Sequence, residues 1–165
     1  MRRLLVILCV LMGGFSMNAQ DTQLNVYVGP SFGSNLGGMV NFDLEIPMFD
    51  DNLTIGPSIG VGRAAYKYYD ENNVWIRENY LVINPAVVAH YYFDWLIPDM
   101  SEKFDVFAKA KLGWRYVGGS HPYSYSVLDL NLQAGGRYNF SSNGSIYLAI
   151  GYAWAPMNLG VTIKL

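Results

Sequence analysis

The sequence predicts an all-β fold: eight antiparallel strands in up-and-down order, closed into a barrel. Three observations lead there. Eight stretches alternate apolar and polar residues with period 2. Aromatic residues make up 15% of the chain, with 13 Tyr beside 17 Gly, a mix that suits curved sheets. Charged residues are only 15% against 52% hydrophobic, whereas a helical bundle would be rich in Ala, Glu and Lys. The 165 residues suffice for one domain.

The N-terminus reads as a cleaved signal peptide over residues 1–19, leaving a barrel domain over residues 20–165. Arg2 and Arg3 form a positive start, residues 4–12 are apolar, and Asn18-Ala19 before Gln20 is a small-residue cleavage site. The apolar run is too short to span a bilayer as a helix. Cys9, the only cysteine, lies inside it, and its neighbours Ile7, Leu8 and Val10 do not form a lipoprotein acylation box. Disulfides and thiolate metal sites are therefore not expected in the processed chain. A formal net charge of -2 supplies no basic field for nucleic acid. No later run has the length of a transmembrane helix, and a membrane protein without one must be a closed barrel.

The strands follow in order. Residues 23–32 set Leu24, Val26 and Val28 against Asn25, Tyr27 and Gly29. Residues 39–47 set Val40, Phe42, Leu44 and Ile46 against Asn41, Asp43 and Glu45. Residues 53–69 set Leu53, Ile55, Ile59 and Val61 against Thr54, Gly56, Ser58, Gly60 and Gly62. Residues 75–93 set Leu81, Ile83, Val87, Ala89, Tyr91 and Phe93 against Asn84, Ala86, His90 and Tyr92. The fifth strand sets Val106, Ala108, Ala110, Leu112, Trp114 and Tyr116 against Lys109, Lys111, Gly113 and Arg115. The sixth sets Leu128, Leu130, Leu132, Ala134 and Tyr138 against Asp129, Asn131, Gln133, Gly135 and Arg137. The seventh sets Ile146, Leu148, Ile150, Tyr152 and Trp154 against Tyr147, Ala149, Gly151 and Ala153. The last sets Leu159, Val161, Ile163 and Leu165 against Asn158, Gly160, Thr162 and Lys164. Pro57 and Pro85 fall inside adjacent strands and remove ladder donors, so a shared irregularity with bulges is expected there.

Connections at residues 48–52, 94–104 and 141–144 fall on one side of the barrel. Those at 33–38, 70–74, 118–126 and 155–156 fall on the other. An even strand count places both termini together, on the periplasmic side of a bacterial barrel.

The charges sit on the face that carries the small residues, and the other face is uniformly aliphatic. Aromatics edge that aliphatic belt. Trp75, Trp114 and Trp154, with Tyr66, Tyr68, Tyr116 and Tyr152, lie toward one rim; Trp95, with Tyr91, Phe93, Phe104, Tyr138 and Phe140, lies toward the other. Two aromatic girdles around an apolar belt are what lipid–water interfaces select. The expectation is a transmembrane barrel in the outer membrane of a Gram-negative bacterium, with outer-membrane lipid as its first partner. The inverse arrangement, a soluble lipocalin-like barrel around an apolar ligand, would require the aliphatic faces to point inward.

The closing residues Asn158-Leu159-Gly160-Val161-Thr162-Ile163-Lys164-Leu165 resemble the terminal signal that barrel-assembly machinery reads. There a polar residue and a glycine precede two hydrophobic residues at alternate positions. Together with the strand pattern, the chain resembles the small eight-stranded outer-membrane barrels, OmpX-like proteins and the transmembrane part of OmpA. That family usually ends in an aromatic residue, where this chain has Leu165. The resemblance implies insertion by the assembly machinery; the peptidoglycan-binding activity of OmpA's further domain is not implied.

Nine residues of the polar face form a candidate lumen network: Asp43, Glu45, His90, Lys109, Lys111, Arg115, Asp129, Arg137 and Lys164. Eight strands leave an interior just wide enough for side chains to fill, so confined charges must pair or meet water. A hairpin centred near Pro122 puts Arg115 directly opposite Asp129 as an ion pair. The network reads first as a structural plug and second as the lining of a narrow pore for ions or small solutes. In the 118–126 loop, His121, Tyr123 and Tyr125 are candidates for contact with a surface ligand, since Tyr offers rigid amphipathic area. His121 beside Ser120 and Ser124 has no carboxylate to orient it, so no enzyme, lipid-modifying or otherwise, is expected. Two isolated histidines make no metal site. The glycines of the 33–38 loop precede no helix and cradle no phosphate, and no cofactor is expected.

Overall fold

The computed structural model describes residues 22–31, 35–48, 50–69, 75–118 and 124–165. Within these, the period-2 pattern becomes eight strands: β1 (Gln23–Ser31), β2 (Asn35–Met48), β3 (Asp50–Tyr69), β4 (Trp75–Tyr92), β5 (Phe104–Gly118), β6 (Tyr125–Asn139), β7 (Gly144–Tyr152) and β8 (Met157–Lys164). Each pairs antiparallel with the next, and β1 pairs with β8, so the sheet closes without a free side. The start of β1 and the end of β8 meet at the seam, where Leu165 N donates to Thr22 O at 2.9 Å. The proposed signal peptide at 1–19 lies outside the described residues.

Alternation sorts the side chains as the pattern requires. The outward face is aliphatic and open: Val87, Leu112 and Ile150 are 57%, 51% and 58% exposed. The inward face is buried and polar, with Asp43, Glu45 and His90 at 0% and Lys109 and Arg137 at 2%. Glycine serves close approach at two inward points. A Cβ on Gly135 would stand 2.5 Å from the Phe107 ring, and one on Gly160 would stand 2.1 Å from Val26 O. The barrel closes tightly because neither position carries a side chain.

Pro57 and Pro85 depart from expectation. Both face outward and are exposed, and the β3–β4 ladder runs through them without a register shift. Each proline instead interrupts the ladder on its other side. The β2–β3 pairing skips Leu44/Pro57 and Glu45/Gly56 and then resumes in register. The β4–β5 pairing skips Asn84/Arg115 and Pro85/Trp114 and resumes likewise. A missing N–H costs a hydrogen bond on the side it would point to, and here it adds no residue. The register shift in this part of the sheet falls instead at Pro47/Met48, beside the β2–β3 turn.

Strand lengths are unequal. β3 and β4 have 20 and 18 residues, β7 and β8 only 9 and 8. One wall therefore rises well above the other at the end away from the termini. The longest connection at the terminus end contains a 3-10 turn, Asp94–Leu96, pinned where Val106 N donates to Asp94 Oδ1 at 2.7 Å. No helix among the described residues is long and apolar enough to cross a membrane.

Candidate functional site

The lumen is filled in layers. Nearest the terminus end, the Glu45 carboxylate of β2 is the hub. It accepts from Asn25 Nδ2, from Thr54 Oγ1 at 2.7 Å and from Tyr92 OH at 2.6 Å, and it pairs with the Arg137 guanidinium of β6. Arg137 donates further to Gln23 Oε1 at 2.8 Å, to Asn25 Oδ1 at 3.2 Å and to the Tyr92 hydroxyl. Thr162 of β8 closes the ring by donating to Asn25 Oδ1. Charge-assisted bonds of this kind give a buried carboxylate what water would have supplied.

One layer up, Asp43 accepts from Tyr27 OH at 2.7 Å and Ser58 Oγ at 2.5 Å, and pairs with Lys109 Nζ at 3.0 Å. Lys109 spends its remaining donors on Tyr27 OH at 2.6 Å and Tyr147 OH at 3.2 Å. Between the two layers, Phe107, Tyr147 and Tyr27 stack with 5.2 Å between successive ring centroids. Lys109 Nζ lies 4.0 Å from the Tyr27 ring centroid, and Arg137 lies 5.4 Å from the Phe107 ring, so each end of the stack faces a cation.

Toward the far end, Asp129 accepts from Asn84 Nδ2 at 3.2 Å and Asn131 Nδ2 at 3.1 Å, and pairs with Arg115 Nη1 at 3.0 Å. The pair forms, but not directly across. Register sets Gly113 opposite Asp129 and Arg115 opposite Val127, so the guanidinium reaches along the diagonal. The hairpin is centred one residue earlier than Pro122, which moves the register by two and preserves the facing of every side chain.

Of the nine expected lumen residues, the structure brings eight inside. Lys164 is the exception: it is exposed at the terminus-end rim, at a mouth of about 370 Å³ that it shares with Gln23, Asp94 and Asp105. β8 ends there, so no wall remains to enclose its side chain. His90 is fully buried, with Nδ1 3.6 Å from Glu45 Oε1 and neither ring nitrogen hydrogen-bonded. Its ring meets the Phe107 ring edge-on at 5.2 Å. Lys111 donates to Asn41 Oδ1 at 2.9 Å and lines a cavity of about 10 Å³, room for a single water-sized sphere.

Sequence reasoning put Tyr27, Tyr92 and Tyr147 on the inward face without assigning them to the network, and it missed Phe107. Parity alone would have found it, since Phe107 is two residues from Lys109 on β5. Among the described residues no group of three His, Cys, Asp or Glu side chains could hold a metal ion.

The expected girdles need two corrections. Trp95, 63% exposed, stands with Phe104, Tyr138 and Phe140 at the terminus end, and Trp114 with Tyr116 and Tyr152 toward the other. Trp75 is also exposed, but it does not share the level of Trp114. The β4–β5 ladder ends at Leu81, so Trp75 stands about 20 Å beyond that end on the projecting hairpin. Trp154 turns inward. It packs on Met39, Ala64, Tyr80, Val82 and Val117 and lies 5.7 Å from Arg115. The short β7–β8 connection folds over the lumen and buries Ala155, whose carbonyl accepts from Gln133 Nε2 at 3.2 Å. Of the loop candidates, Tyr125 is exposed at the start of β6; His121 and Tyr123 lie outside the described residues, as do the side chains of Tyr66 and Tyr68.

A closed antiparallel ring of eight strands, apolar outside and charged within, is a form shared with a solved structure. The barrel is similar to that of Neisserial surface protein A. The two align with a TM-score of 0.55 at 16% sequence identity, over 87% of this chain and 94% of NspA. At that identity the likeness with NspA is one of fold. No family model matches the chain, and no curated protein matches it.

Proposed function

We propose that the chain is an outer-membrane β-barrel with a plugged polar lumen, acting without catalysis as a structural or surface-interacting protein. The observation that carries this reading is the inversion of its faces. Every strand turns at least one outward Val, Leu or Ile side chain to the surface, from Val40 at 39% exposed to Ile150 at 58%, while carboxylates, ammonium groups and guanidinium groups are sealed inside. In water such a surface would aggregate; in lipid it is the solvent-facing side. The name of the similar fold, a surface protein, favours display of the projecting β3–β4 hairpin and the 118–126 loop to the cell exterior. OmpX-like and OmpA-like barrels remain the family the pattern resembles. Outer-membrane lipid and the assembly machinery are its partners under this reading, and no enzyme activity is assigned to His121.

Gel migration with and without boiling, together with membrane fractionation, tests it. A folded band that migrates faster unboiled, found in the outer membrane, is expected. A soluble protein with no heat shift overturns the reading and favours the inverted, ligand-holding barrel.

A second reading, a narrow ion pore, is favoured by the charges that line the lumen from Arg115 to Arg137. Side chains that cross the lumen, such as Arg137 to Glu45 and Lys109 to Asp43, and the small space of about 10 Å³ left beside Lys111 argue for the plug. Planar-bilayer recordings are expected to show no reproducible conductance from purified protein, and steady unitary currents would install the pore instead.

A further inference from the structure

One buried ammonium group in the described lumen has no carboxylate partner. Asp43, Glu45 and Asp129 are the buried carboxylates of the described lumen, and each has its own cation: Lys109 at 3.0 Å, Arg137, and Arg115 at 3.0 Å. Lys111 is left over. Its side chain is 4% exposed, and no carboxylate lies within ion-pair distance of it among the described residues. Of its three ammonium protons, one is engaged, by Asn41 Oδ1 at 2.9 Å. An unpaired ammonium in such a place is costly unless a counter-charge accompanies it.

Lys111 opens onto a small, partly open cavity of about 10 Å³. The other polar walls are rich in donors. Asn131, Gln133 and Asn158 each use one amide proton within the network, which leaves a second on each. Lys109 is saturated by Asp43, Tyr27 and Tyr147 and adds positive potential without needing a new bond. Asn158 Oδ1 is a wall acceptor that lacks a donor. A water molecule would serve that oxygen and leave the ammonium uncompensated.

We propose that this cavity is a binding site for a single monovalent anion of halide size, held by Lys111 with amide N–H groups around it. The space is about that of one water-sized sphere, so a halide, the smallest of the common anions, displaces the walls least, and sulfate, phosphate and carboxylate ligands displace them more. Chloride is the anion of that size available in most aqueous compartments. Bound there, it gives the Lys111 ammonium a counter-charge and fills the middle of the lumen.

Bromide is the probe. Crystals of the full chain in detergent, grown in chloride and soaked in bromide, are measured at the bromine absorption edge. The expected result is one anomalous peak inside the barrel within hydrogen-bonding distance of Lys111 Nζ, absent from Lys111→Met crystals treated alike. Heat-modifiable migration checks that Lys111→Met still forms a barrel, and Lys111→Gln serves if it does not. In solution, bromide NMR line broadening by the wild-type protein in detergent should fall to the protein-free value in the variant. Cavity density without anomalous signal in the wild type identifies water and overturns the proposal, as does a bromide peak that survives removal of the ammonium.

Discussion

Severing Arg137 from Glu45 tests the claim that the lumen is held by compensated charge. Arg137→Met removes the one guanidinium beside a carboxylate that is fully buried. Three neutral donors remain on that carboxylate, from Asn25, Thr54 and Tyr92. His90 cannot substitute without moving, its Nδ1 being 3.6 Å away. Breaking a buried pair on one side typically costs about 3–5 kcal/mol. Loss of the bonds to Gln23 and Asn25 acts in the same direction, so the upper half of that range is expected. Glu45→Gln should cost less than Arg137→Met, because the amide keeps an acceptor oxygen. The double variant should recover at least about 1.5 kcal/mol relative to the sum of the singles. Reversible urea unfolding in lipid vesicles, followed by tryptophan fluorescence, gives each leg of the cycle. Arg137→Met within about 1 kcal/mol of wild type, or an additive double variant, would refute the reasoning and mean that water reaches the layer.

Three further outcomes are expected. Gly135→Val should destabilise the barrel by about 1–3 kcal/mol, since its Cβ would lie 2.4 Å from Leu148 O and 2.5 Å from Phe107. Gly38→Val, whose Cβ meets only Gly29 O at 3.7 Å, should stay within about 0.5 kcal/mol; equal effects in urea titrations would contradict the packing described. Trp154→Ala should cost about 2 kcal/mol by the same assay, less than a fully buried tryptophan, because its ring is only partly covered; no loss would mean that the β7–β8 connection does not cap the lumen. At the terminus-end turn, burial holds the Asp94 carboxyl above its ordinary pKa; Asp105 adds to the rise, and the N–H of Val106 opposes it. The raised value means that the turn's share of stability is present at low pH and is lost as pH rises through that pKa. Carboxyl NMR titration should find the Asp94 value lower in Asp105→Asn, and an unchanged value would remove Asp105 as a cause.

Facing was legible in the sequence because a closed barrel imposes one rule on every strand. Asp43, Lys109 and Arg137 could be placed inside by parity alone, without knowing any neighbour. Distance across the lumen was not legible. Arg137 finds Glu45 by crossing the interior from β6 to β2, and alternation carries no information about which inward residues share a height. The Arg115–Asp129 pair was found through the wrong register, since two residues of slip leave parity unchanged. Trp154 and Trp75 were misplaced for a common reason: strand ends depend on where ladders stop, and the short β7 and β8 beside the long β3 and β4 have no marker in the hydrophobic pattern. The prolines misled because a missing donor signals a lost bond, whereas a bulge needs an inserted residue.

The lumen network also constrains the order of events as the chain assembles. Arg137 bridges to Gln23, Asn25 and Glu45 across separations of 114, 112 and 92 residues, and Thr162 reaches Asn25 across 137. With strands only through β5 in place, Glu45 has no cation and Asn25 lacks two of its donors. An intermediate that has β2 but lacks β6 therefore carries a Glu45 charge without its partner and is no resting point inside a bilayer. Contacts this remote in sequence form slowly. β6 brings the cation and β8 the last donor to Asn25, so closure completes the layer and a missing final strand is a defect felt at the first.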